Sequence, residues 1–134
     1  MSNSISKTKP SRRAAGSEPA PPIAEIEVAS RRGVETLAVA SIEWFEAERD
    51  YVRLHADAGE FLIRRSMRAL EAGLDRGQFM RTHRSAIVNR ARIRRVEHLE
   101  GGRLLIRLAS GKAAPVSAIH APAVRALSQT PPQV

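Results

Sequence analysis

A chain of 134 residues with 43% hydrophobic but only 4% aromatic residues has room for one domain with tails, its core built mainly from Val, Ile, Leu and Ala. It has no cysteine, which excludes a disulfide framework and a thiolate metal site and fits a reducing cytoplasm. Its formal net charge of +8 favours polyanionic partners. No apolar run approaches the roughly 18–20 residues that span a bilayer, so a cytoplasmic protein without membrane contact is expected.

Residues 1–22 are rich in Ser, Pro, Lys and Arg, with almost nothing to bury and no apolar stretch of a signal peptide; a disordered tail is expected there. From Ile23 the pattern changes. Ile26 and Val28 alternate with Glu25 and Glu27 as in a strand, Arg32-Gly33 marks a turn, and Val34, Leu37 and Val39 suggest a second strand. Residues 41–43 read as a turn before a third strand carrying Trp44, Phe45 and Ala47. Residues 51–55 alternate again, and Asp57-Ala58-Gly59 turns the chain into Phe61-Leu62-Ile63. Ser66 is placed to cap a short helix with Met67, Leu70 and Leu74 on its apolar face, ended by Gly73 and Gly77. Phe79-Met80 opens another segment, Ala86-Ile87-Val88 is a short apolar strand, and Ile93, Val96 and Leu99 line the next. Gly101-Gly102 turns into the period-two strand of Leu104, Ile106 and Leu108, and Ser110-Gly111 turns into Ala114 and Val116. Residues 123–127 suggest a last helix, and residues 129–134 a second tail. About eight or more short strands at such spacing predict an all-β sandwich over residues 23–128, with one or two short helices.

The charge is unevenly placed. Residues 64–95 hold ten arginines against two acids, whereas residues 24–63 are net acidic. Arginine presents a planar fork of donors suited to phosphate oxygens and guanine edges. Within that basic stretch stand Phe79, Arg81, His83, Ser85, Val88, Asn89 and Ile93. This spacing resembles the signature of the LytTR family of bacterial DNA-binding domains. The resemblance runs upstream through residues 42–51 and 64–74 and downstream through residues 101–117, covering about 100 residues in all.

The resemblance implies an all-β, elongated sandwich of three small antiparallel sheets whose loops enter successive major grooves of DNA. It also implies a first DNA-contacting loop over residues 46–51, with Arg49 as a candidate contact, Tyr51 as a contact or a packing residue, and Glu48 and Asp50 opposing phosphate unless paired. Asn89 is the leading base reader, since Asn can bond an adenine edge in two places; an Asn satisfying its own turn is the plainer alternative. Arg81, Arg84, Arg90 and Arg92 flank it as phosphate contacts. His83 either donates to a phosphate or pins the loop. After Val116-Ser117 the family usually carries arginine, but here Ala118, Ile119 and His120 follow, which leaves His120 or Lys112 as weak substitutes.

Trp44, Phe45, Phe61 and Phe79 read as core. The four histidines show no metal-ligand spacing, no cofactor motif is present, and no catalytic constellation is recognisable, so neither an enzyme nor a metalloprotein is expected. The expected function is sequence-specific duplex binding by a bacterial transcription regulator in the cytoplasm. Family regulators usually carry a receiver domain ahead of this part, and the short N-terminal tail leads to the expectation of a stand-alone unit. It would pair on promoter repeats as a homodimer or answer to a regulatory protein partner. An RNA-binding or protein-interaction β-module is the alternative.

Overall fold

The structure, a computed structural model, describes residues 21–129; almost all of both expected tails lies outside these. Ten strands and two helices follow in chain order: β1 (Glu25–Ser30), β2 (Gly33–Ala38), β3 (Ile42–Glu48), β4 (Tyr51–Ala56), β5 (Gly59–Ile63), α1 (Met67–Gly73), β6 (Phe79–His83), β7 (Ala86–Asn89), β8 (Ile93–His98), β9 (Leu104–Leu108), β10 (Ala113–Pro115) and α2 (Ala121–Gln129). They form three antiparallel sheets. A β1–β2 hairpin and a three-stranded sheet in the order β10-β9-β8 flank a five-stranded sheet in the order β5-β4-β3-β7-β6.

The five-stranded sheet is central because both its faces are apolar, and the period of two sends neighbouring side chains to opposite sides. Phe45, Leu54, Phe79 and Ile87 join Ile26, Val28, Leu37, Met67 and Leu70 under the hairpin and α1. Trp44, Met80, Ala86 and Val88 join Leu104, Ile106, Leu108 and Val124 under the three-stranded sheet and α2. Hence residues 86–88 read as an uninterrupted apolar run: β7 lies between β3 and β6 with cover on both sides. Phe61 sits half-buried at the edge of the first cluster.

The helix signals act as expected. Ser66 Oγ accepts the Ala69 amide at 3.0 Å, capping α1. Gly73 ends that helix for a different reason from the usual left-handed turn: Ile23 packs against it, with the Ile23 amide donating to the Gly73 carbonyl at 2.8 Å. Residues 41–43 depart from expectation. A turn of 3-10 helix occupies Val39–Ser41, and β3 begins at once with buried Ile42 and Glu43. Glu43 is tolerated inside because its carboxylate accepts both the Ser110 amide (2.9 Å) and the Ser110 hydroxyl (2.6 Å), which fastens the β9–β10 turn to the central sheet.

Candidate nucleic-acid interface

In an antiparallel sheet alternate connections fall at the same end. β3, β5 and β6 all run towards one end of the central sheet, and β4 and β7 leave from it. The Arg49-Asp50 turn, the β5–α1 junction at Arg64 and Arg65, and the Arg84-Ser85 turn are therefore neighbours along one rim. The segment after β10 joins them, because the Ser117 amide donates to the Thr82 carbonyl at 2.9 Å. Strands are spaced about 4.8 Å apart, so this rim is roughly 24 Å wide.

Each turn is held by its own residues. Arg49 sits at φ 59°, the left-handed region that favours glycine, at a cost of about 1–2 kcal/mol for a side chain such as arginine. Its neighbour Glu48 is ion-paired with Arg53, so that acid does not oppose phosphate; Asp50 remains exposed. Tyr51 is 40% exposed and carries the Arg64 guanidinium 5.5 Å above its ring, so it is a surface platform rather than a packing residue. Arg65, alongside, makes no side-chain hydrogen bond or ion pair among the described residues.

The β6–β7 turn is pinned from behind. Arg81 donates from Nε to the His83 carbonyl (2.8 Å) and from its two terminal nitrogens to the Arg84 carbonyl (2.7 Å) and Glu71 (2.6 Å). His83 Nδ1 accepts the Ser85 amide at 3.1 Å and lies 2.9 Å from the Ser85 hydroxyl. The Ser85 carbonyl accepts the Ala47 amide at 2.9 Å, tying the turn to β3. Burial, with Arg84, His120 and Arg81 close by, holds the His83 imidazole below the ordinary histidine value of 6.5. The Arg84 side chain is exposed and unpaired among the described residues. His120 is half-buried, its Nδ1 2.8 Å from the Ser117 hydroxyl.

The other expected contacts lie elsewhere. β7 carries the chain from the rim at Ala86 to the opposite end at Asn89, some 10 Å away at about 3.4 Å per residue. Asn89 is only 1% exposed. Its amide nitrogen donates to the Ile42 carbonyl (2.9 Å), and its oxygen accepts the Ala91 amide (3.1 Å) and caps the 3-10 turn Arg90–Arg92. Both polar ends of its amide are engaged inside the fold, which favours an Asn that satisfies its own turn over one that reads bases. Arg90 bonds the Arg76 carbonyl (2.9 Å), and Arg92 grips Asp57 with two nitrogens (2.8 and 2.9 Å) and reaches the Ala40 carbonyl. Lys112 is held by Glu60 (3.1 Å) and His55 (3.0 Å). These three cations are engaged away from the rim, and Arg81 on it is a brace. The sequence treated residues 81–92 as one binding stretch; four residues of buried strand split it. Arg64 and Arg65 were counted in the charge but not singled out. Their signal was an arginine doublet directly after a strand.

Among the described residues the rim thus gathers Arg49, Arg64, Arg65 and Arg84 against one unpaired acid, Asp50. Such a surface can grip phosphates and offer guanidinium forks to bases. Among the described residues no group of three or more His, Asp or Glu could hold a metal, and no helix is long and apolar enough to cross a membrane.

Comparison with known proteins decides the family, since the LytTR DNA-binding domain matches residues 32–129. The chain belongs to the LytTR family. The family is one of DNA-binding domains. Over 108 residues the chain is 34% identical to the positive alginate biosynthesis regulatory protein of Pseudomonas aeruginosa, covering 79% of this chain and 43% of that protein. It is 29% identical over 104 residues to the CO-responsive transcriptional regulator RcoM of Rhodospirillum rubrum, covering 76% of this chain and 44% of that protein. The chain therefore spans less than half the length of these relatives. A solved LytTR DNA-binding domain from Bacillus cereus shares the fold at a TM-score of 0.73 and 22% identity, over 81% of this chain and 99% of that one.

Proposed function

We propose that this LytTR domain binds specific duplex DNA sites through the rim of its central sheet, as the DNA-reading part of a transcription regulator in the bacterial cytoplasm. The observation that carries this reading is Arg84: an exposed guanidinium, unpaired among the described residues, on a turn whose backbone is braced by Arg81, His83 and Ala47. A pre-ordered turn loses little entropy on binding, so its arginine can discriminate between bases. The rim, at roughly 24 Å, is about twice the ~12 Å width of the major groove. Arg84, on the turn between β7 and the edge strand β6, is the base reader. Arg49, Arg64 and Arg65 to one side grip the phosphates that border the groove, and Arg49 also reaches towards base edges. Two copies on tandem promoter repeats give the paired arrangement that the family resemblance implies. Occupancy then recruits or blocks RNA polymerase.

Selection from a random duplex pool tests this reading. A short motif should be enriched at physiological salt, and Arg84→Ala should cut binding to it by about 1–3 kcal/mol with little change on scrambled duplex. A pool that stays random, or an RNA pool enriched in its place, would overturn it.

A further inference from the structure

A lone exposed isoleucine is ordinary on a protein surface, but Ile119 is 87% exposed at one end of this rim. Its turn is ordered. The Ser117 amide is bound to Thr82, the His120 amide to the Ser117 carbonyl (3.0 Å), and the Ala121 amide to the Ala118 carbonyl (3.3 Å). Thr82, itself buried, donates from its hydroxyl to the Pro115 carbonyl at 2.9 Å, which fixes the start of the same segment. The turn therefore stands beside the one that carries Arg84, and His120 is close enough to His83 to depress its basicity.

Around Ile119 the exposed residues are Ala118, Pro122 and Ala123, and residues 113–124 contain no Lys, Arg, Asp or Glu. An uncharged, apolar knob on a cationic rim adds nothing to phosphate attraction. On the floor of the major groove the apolar group on offer is the C5-methyl of thymine. We infer that Ile119 is a specificity residue that packs against a thymine methyl next to the base pair met by Arg84. This rests on the rim being the DNA-binding surface.

The test uses the selected duplex with each thymine replaced in turn by uracil, which removes the methyl and leaves pairing unchanged. Burying one methyl-sized group corresponds to about a fourfold change in affinity. The unaltered protein should lose about that much at one thymine, whereas Ile119→Ala should bind the thymine and uracil duplexes equally. If no replacement matters, or the same thymine matters equally to both proteins, Ile119 reads no methyl even though the rim still binds DNA. A pool that yields no selected duplex would instead overturn the reading of the rim itself. A dimer of the free protein that Ile119→Ala abolishes would overturn the inference in favour of a second copy as the occupant. The side chain is so exposed that the variant should fold normally.

Discussion

His83 sets the geometry of the turn that presents Arg84, and it does so as a neutral acceptor. A protonated imidazole has no lone pair left for the Ser85 amide. Because burial and neighbouring cations lower its folded pKa, its contribution is complete above the unfolded value near 6.5 and is lost as pH falls through the lowered one. His83→Ala should weaken binding to the selected duplex by about 1 kcal/mol, the worth of one lost hydrogen bond. His83→Asn should restore most of it, since an Asn oxygen accepts the amide two residues on. Titrations with duplex at pH 7.5 would check this; equal affinities for all three proteins would deny His83 a positioning role. The sequence left His83 open between phosphate donor and pin, and the hydrogen bond from the Ser85 amide, which no residue pattern displays, favours the pin. Asn89 is ambiguous in the sequence for a related reason. Its residue type suits a base edge and a cap equally, and the burial that selects the cap comes from Ile42, 47 residues away in sequence.

β7 is the element that separates binding from bracing. It holds the Arg84 turn at one end and Asn89 at the other, and Asn89 in turn ties the end of β7 to the start of β3. Asn89→Ala should therefore lower stability by about 1–3 kcal/mol, leaving the Ile42 carbonyl and the Ala91 amide without partners. The folded protein should keep its affinity for the selected duplex. Urea unfolding together with binding at low temperature measures both; intact stability with lost specificity would return Asn89 to the role of base reader. Strands and helices were legible in the sequence wherever one face alternates, as in β1 and β9, or where a cap is explicit, as at Ser66. The start of β3 was not, because Glu43 reads as a turn residue until Ser110, 67 positions on, supplies its partners.

For the whole molecule, net charge indicated the class of partner but not the surface that meets it. Several arginines of the basic stretch are paired within the protein, Arg81 with Glu71 and two carbonyls, Arg92 with Asp57 and, at the surface, Arg95 with Glu97. Counterion release counts only cations that reach phosphates. Arg65→Ala should flatten the dependence of log affinity on log salt by roughly 0.9 unit, while Lys112→Ala should leave the slope unchanged. Equal slopes for the two variants would mean that the charges act as a diffuse cloud and not through a rim. The most direct measurement is a map of backbone amide shifts on titrating the protein with its selected duplex. The account predicts that the large changes cluster at residues 49–51, 64–66, 83–85 and 117–119, with residues 76–78, 89–92 and 110–112 nearly still. Changes concentrated in the second group would contradict it.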